Sequence, residues 1–164
     1  MNINLIPLRE IPEDTEVVLQ WALKLWRSST IPGFSEESWA DFYERAKSAD
    51  YTAWHGNDQE LIYIAKAGEV ILGTIALASF DDLEEFRHLS PWVAAFIVNP
   101  ELRGQGYGTL ILTACEKEAK FLGIQRLYLW TEDQMSFYQR RGYEFIASGR
   151  WSRLTFDVLK KDLH

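Results

Sequence analysis

Trp92-Val93-Ala94-Ala95-Phe96-Ile97-Val98, then Asn99-Pro100-Glu101-Leu102, then Arg103-Gly104-Gln105-Gly106-Tyr107-Gly108 is the stretch on which the fold turns. The first seven residues are a nearly continuous apolar run, the pattern of a strand buried on both faces. Asn99-Pro100 ends it. Gly106 to Leu122 places apolar side chains at helical spacing, and Gly123 follows as a C′ residue. Strand, glycine turn and helix in that order build a site for an anion. The first amides of a helix have no intrahelical partners and point at whatever precedes them. The helix dipole adds about half a positive charge there. Glycines let the backbone approach a ligand and take positive φ where needed, and Arg103 brings a fixed cation.

The spacing narrows the anion. A dinucleotide-binding unit wants G-x-G-x-x-G early in the chain, with an acidic residue about 20 residues further on. Here the spacing is G-x-G-x-G and it lies late. A kinase-type phosphate loop wants Gly-Lys-Ser/Thr, and no such lysine is present.

Working outward from this stretch, Ile3 to Arg9 reads as an edge strand containing Pro7. Asp14 to Ser28 reads as a helix, with Val18, Trp21, Ala22, Leu25 and Trp26 at helical spacing, broken by Ile31-Pro32-Gly33. Ser35 to Ser48 reads as a second helix with Ser35 as N-cap. Leu61–Ala67 and Ile71–Phe80 are strands joined at Gly68-Glu69, and Asp81 to His88 is an acidic loop. After the long helix come a buried strand over Leu127–Thr131, a short helix over Met135–Arg141 closed by Gly142, and strands over Tyr143–Ala147 and Arg153–Leu159. The order β-αα-βββ-α-β-α-ββ predicts one α/β domain over residues 1–164 with a mixed, mostly antiparallel sheet and about four helices.

The chain has 164 residues, 47% hydrophobic and 14% aromatic, enough for a single core. A lone cysteine, Cys115, favours a reducing compartment. With no long apolar run and no basic N-terminal region, a cytoplasmic protein without a membrane segment is expected. The net charge of -7 argues against nucleic acid. Residues 1–60 carry 5 basic and 11 acidic side chains, whereas residues 103–164 carry 10 and 7. That asymmetry suggests two ligands of opposite sign. His55, His88 and His164 show no metal-ligand spacing, so no metal is expected.

Val98-x-Pro100-x-x-Arg103-Gly104-x-Gly106-x-Gly108 resembles the acetyl-CoA motif of the GCN5-related N-acetyltransferase (GNAT) superfamily. Phe137-Tyr138-Gln139-Arg140-Arg141-Gly142-Tyr143 resembles that superfamily's second, short-helix motif. The element order is similar over almost the whole chain, and Ser90-Pro91-Trp92 with Leu129-Trp130-Thr131 resembles small bacterial-type members. The resemblance implies an acyl-CoA-dependent N-acetyltransferase using acetyl-CoA as acyl donor. It also implies a V-shaped splay between the Trp92–Val98 and Leu127–Thr131 strands. Residues 1–60 would supply acceptor-side helices and residues 92–142 the acyl-CoA-binding core.

By the same resemblance, the pyrophosphate would rest on Arg103, Gly104, Gln105, Gly106, Tyr107, Gly108 and Thr109. Phe96, Ile97 and Val98 would hold the pantetheine arm through their main chains. Thr131 stands where many members carry an Asn, and Gln134 where they carry an Ala. The Val98 N–H would be the oxyanion donor and Tyr138 the general acid for the departing thiolate, since a phenol stays protonated at neutral pH. Glu84 and Glu85 are the candidates for the base, with His88 beside them. The acceptor would be a cationic small-molecule or peptide amine, walled by aromatics among Trp21, Trp26, Phe34, Trp39, Phe42, Tyr43, Trp54 and Trp92. Trp92 and His88 are the acceptor residues singled out. Cys115 reads as core, so direct transfer fits better than an acyl-enzyme. The rival reading is a non-catalytic acyl-CoA-binding module. Similar proteins are commonly dimers, which puts a homodimer among the expected assemblies.

Overall fold

The structure is a computed structural model that describes residues 2–26, 35–151 and 153–164. Seven strands form one sheet: β1 (Asn4–Pro7), β2 (Glu60–Ala67), β3 (Val70–Ala78), β4 (Trp92–Val98), β5 (Arg126–Thr131), β6 (Glu144–Trp151) and β7 (Leu154–Asp162). Their order is β1-β2-β3-β4-β5-β7-β6. Every neighbouring pair is antiparallel except β4 and β5, which are parallel. Four α-helices are described: α1 (Thr15–Trp26), α2 (Glu36–Ala46), α3 (Tyr107–Phe121) and α4 (Met135–Gln139). The predicted break at Ile31-Pro32-Gly33, the helical residues Arg27 and Ser28, and Phe34 lie outside the described residues.

Side-chain alternation along β2 explains the layers. Leu61, Tyr63 and Ala65 enter one core with Ile111, Leu112, Cys115 and Ala119 of α3. Ile62 and Ile64 enter a second core with Val18 and Ala22 of α1 and Tyr43 and Ala46 of α2. A period of two therefore buries both faces of the strand. Leu83, Trp92, Tyr128, Phe156 and Val158 form a third cluster beneath the loop after β3.

Several boundaries differ from the sequence reading, and those of β1, β6, β7 and α4 have a clear local reason. β1 stops at Pro7, and Leu8–Glu10 turns into a 3-10 helix whose end is closed by Ile11 N–H on the Leu8 carbonyl at 3.1 Å. β6 and β7 run longer than predicted, because β6 stays paired with β7 to Trp151 opposite Leu154 and β7 stays paired with β5 to Asp162 opposite Arg126. α4 ends at Gln139 rather than Arg141 in a Schellman motif: Tyr143 N–H reaches the Tyr138 carbonyl at 3.1 Å and Gly142 N–H the Gln139 carbonyl at 3.1 Å. Gly142 supplies the positive φ of 91° that the motif requires.

Gly73 holds the centre of the sheet close to α3. A Cβ there would lie 2.5 Å from the Ile97 carbonyl oxygen and 2.7 Å from Ile111 Cδ1. Ile111 can turn its side chain away, but the Ile97 carbonyl is backbone and cannot retreat without moving β4. Gly73→Ala is therefore expected to cost about 1–3 kcal/mol, a drop of about 2–10 °C in thermal midpoint for a chain of this size. Calorimetric melting checks this, and an unchanged midpoint would contradict the packing described.

Candidate functional site

β4 and β5 are paired in register only at Trp92 and Tyr128, with Tyr128 N–H also donating to the Pro91 carbonyl at 3.0 Å. Beyond that point the two strands diverge. A cleft of about 670 Å3 opens between them, lined by Val93 to Val98 of β4, Leu129 to Thr131 of β5, and Phe137 and Tyr138 of α4. Arg103 and Gly108 stand at one end, and Leu25, Trp26 and Asp81 also line it. The cleft thus connects the α3 and α4 side of the sheet with the α1 side.

The main chain of β4 is turned toward this gap. Thr74 pairs with Ile97 but Ala76 pairs with Ala94, so Ile75 faces two residues in a β-bulge. Ala95 takes φ 47° there, a positive value uncommon for a residue with a side chain. Past the bulge, Asn99 N–H donates to the Leu72 carbonyl at 2.8 Å. Residues of an antiparallel ladder alternate between facing the partner and facing away. The Val98 N–H, one residue earlier, therefore points into the V, as does the main chain of Phe96. Asn99 fixes this phase further, its side-chain NH2 bonding the Ile71 carbonyl at 2.8 Å.

The starts of α2 and α3 differ in kind. α2 is capped by its own chain: Ser35 Oγ accepts the Ser38 N–H at 3.1 Å, and Glu36 and Glu37 lie in the first turn. α3 begins at Gly106, with φ 87°, no side-chain cap and no acidic residue in its first turn. Gly104 also takes a positive φ, 78°. Arg103 to Gly106 are exposed. The amides of α3 are thus left open to an external anion, and the residues present fit a pyrophosphate.

Tyr138 lies across the cleft, ring edges against Phe137 and Tyr143 at centroid distances of 5.0 and 5.7 Å. Burial pushes its phenol well above the ordinary value. The Arg141 cation opposes that shift and the Asp81 carboxylate adds to it. Thr131 is buried on the cleft wall, its hydroxyl accepting the Gln134 N–H at 3.0 Å, so it shapes the turn into α4.

Other residues singled out from the sequence fall elsewhere. Trp92 is 1% exposed, its ring against Tyr128 and its indole N–H on the Leu89 carbonyl at 2.7 Å, so it belongs to the core. Glu84 is exposed and held by Arg87, whose Nε donates at 2.7 Å, which keeps its carboxyl below the usual range. Glu85 and His88 are exposed on the same outer turn. None of these four lines the cleft. Cys115 is fully buried and burial pushes its thiol up, as expected of a core residue.

Three carboxylate residues line the cleft, Asp81, Glu132 and Asp133; the last two are exposed, Asp81 is not, and sequence reasoning passed over all three. The Asp81 main chain is pinned by Trp130 Nε1–H at 3.0 Å and Leu83 N–H at 2.9 Å on its carbonyl. Burial, then the neighbouring Asp82 carboxylate, push Asp81 well above the carboxylate range, and burial raises Asp82 as well. On the α1 side, Trp26 stacks on Trp39 at 4.7 Å and is the aromatic of the first helix pair that reaches the cleft.

The sequence profile of the acetyltransferase (GNAT) family matches residues 25–143. Over 52 residues the chain is 38% identical to N-alpha-acetyltransferase 80 of Mus musculus, a match spanning 32% of this chain and 17% of that protein. The fold is similar to that of an acetyltransferase from Thermus thermophilus, with a TM-score of 0.68 and 14% identity over 99% of this chain and 98% of that one. It is also similar to the PaiA N-acetyltransferase of Thermoplasma acidophilum, solved in complex with coenzyme A, with a TM-score of 0.65 and 20% identity over 99% of both chains. No described helix is long and apolar enough to cross a membrane. With the profile running from the end of α1 through the Gly142-Tyr143 turn, well over half of its length, the chain belongs to the acetyltransferase (GNAT) family.

Proposed function

We propose that this protein transfers the acetyl group of acetyl-CoA directly to a primary amine carried by a cationic small molecule or peptide. The observation that carries the reading is one cleft joining an uncapped helix start, an inward-facing β4 main chain and a half-buried tyrosine. The amides of Gly106 to Thr109, with Arg103, would hold the pyrophosphate, and the main chains of Phe96 and Val98 the pantetheine arm. The amine nitrogen forms a bond to the thioester carbon, and the Val98 N–H stabilises the oxyanion. As the C–S bond breaks, Tyr138 gives its proton to the sulfur and later regains one from solvent. The raised phenol pKa supports this role, because the group stays an acid at working pH.

The nitrogen must also lose a proton. Asp81 supports the acceptor side best: of the three carboxylate residues lining the cleft it is the one that is not exposed, and its carbonyl accepts the Trp130 indole N–H, so it is the candidate to receive an ammonium and take its proton. Asp82 lies beside it, and the Asp81 carboxylate helps to raise the Tyr138 phenol. Thiol release should be followed with primary amines of differing charge, and amines bearing a second positive charge should give the highest kcat/KM. For the wild type, kcat/KM should rise with pH as Asp81 loses its proton. Asp81→Asn should remove that limb and about 10²-fold or more of the activity. The raised folded-state pKa means that ionising Asp81 costs stability, so stability falls as pH rises through that value. Asp81→Asn should therefore melt no lower than wild type at pH 8. Coenzyme A binding without turnover of any amine would leave an acyl-CoA-binding module instead.

A further inference from the structure

Arg141 sits just past the end of α4 and bridges two elements that the proposed reaction needs to act together. Its Nη1 donates to the Phe137 carbonyl at 2.6 Å. Its Nε and Nη2 donate to Thr109 Oγ1 at 2.9 and 2.5 Å. The guanidinium also lies 3.7 Å from the centre of the Phe137 ring. Thr109 is the third residue of α3, in the turn whose amides stand open. Phe137 immediately precedes Tyr138. One planar cation therefore fixes the first turn of α3 against the residue before the proposed general acid.

The charge is in an unusual place for a purely structural bridge. It stands at the positive end of α3, where the helix dipole disfavours a cation. Among the described residues no carboxylate forms an ion pair with it. An anion at the α3 start would remove the conflict. The Thr109 hydroxyl accepts both guanidinium bonds, which leaves its own proton to be donated elsewhere. Two of the five guanidinium N–H groups also remain after the three bonds named.

We infer that Arg141 is a positioning residue that couples the anion cradle to the general acid. Filling the cradle orders the Thr109–Arg141–Phe137 bridge, and the bridge sets Tyr138 against the thioester sulfur. This rests on the proposed acetyl transfer. It uses a general property of enzymes, that binding energy from the unreactive part of a substrate is realised at the reacting centre.

The test compares two acyl donors, acetyl-CoA and the truncated S-acetyl-N-acetylcysteamine, which carries the thioester but no nucleotide. Wild type, Arg141→Ala, Thr109→Val and the double variant are measured with one amine. In wild type, kcat should be much higher with acetyl-CoA. Arg141→Ala should lose about 10²-fold of kcat on acetyl-CoA, the size expected for a misplaced catalytic group, and change little on the truncated donor. Thr109→Val should behave alike, and the double variant should be no worse than either, since both break one link. Arg141→Lys keeps the charge but not the fork, so it should retain coenzyme A affinity by calorimetry without restoring kcat. Equal losses on both donors would make Arg141 a structural residue and overturn the coupling. So would additive losses in the double variant or an unchanged kcat. Absence of turnover in wild type with either donor would instead overturn the proposed reaction, and the coupling with it.

Discussion

Tyr138→Phe is expected to lower kcat by about 10²–10⁴-fold, the range for losing a general acid, while the dissociation constant for coenzyme A stays within a few-fold of wild type. The substitution removes one oxygen and nothing else. Ring contacts with Phe137 and Tyr143, at 5.0 and 5.7 Å, are apolar and survive it. The Schellman bonds at the end of α4 use the Tyr138 main chain and also survive. Melting temperature should therefore change little. Burial raises the phenol pKa, so in wild type the acid is present throughout the neutral range and its loss should be felt at every pH there. A donor whose leaving thiol is more acidic needs less protonation, so an activated thioester should recover part of the lost rate. Wild-type kcat across the pH range with acetyl-CoA would remove Tyr138 from the mechanism.

The second large effect concerns the cradle. Gly106→Asp should weaken coenzyme A binding beyond calorimetric detection while the protein remains folded. Gly106 holds φ 87° at the start of α3, and seating a residue with a side chain there costs about 1–2 kcal/mol. A Cβ at this position meets no atom within 4 Å, so no internal clash is expected. The loss would come from the ligand side, because a carboxylate would occupy the positive end of the helix and repel a pyrophosphate. Gly106→Ala separates the two causes: it carries the strain without the charge and should weaken binding by about ten-fold, the equivalent of 1.4 kcal/mol. Coenzyme A bound by Gly106→Asp as tightly as by wild type would show that the anion sits elsewhere.

Much of this site was legible because its determinants are contiguous. Trp92 to Val98 declares a buried strand by composition, and Gly104 and Gly106 mark the turn because each takes a positive φ. Gly123 and Gly142 close their helices for the same reason. The bulge was not legible: Ala95 carries the positive φ without the glycine that would have flagged it. It leaves its trace only in space, with Ala94 and Ala95 both turned to the α1 and α2 side.

The charged and aromatic lining of the cleft was read less well, because it depends on which member of a local cluster reaches the cleft. The acidic run from Asp81 to Glu85 was visible, but Glu84 is neutralised by Arg87 three residues away, and the 3-10 turn carries Glu84 and Glu85 outward. Asp81, three residues past the end of β3, is the member of that run that lines the cleft. Trp92 and Trp26 reverse in the same way. Trp92 pairs with Tyr128 where β4 and β5 still touch, upstream of the splay, whereas Trp26 ends a helix at the opening. The Arg141 to Thr109 link spans 32 residues and has no sequence pattern at all.

Whether one cleft brings acetyl-CoA and an amine together for direct transfer is decided by a single turnover. Purified protein is mixed with limiting acetyl-CoA and a cationic diamine, and free thiol and product mass are followed together. Direct transfer predicts one thiol released per N-acetylated amine formed, with no acetyl group on the protein at any time. Tight coenzyme A binding with no thiol released, or an acetylated protein that precedes the product, would contradict it.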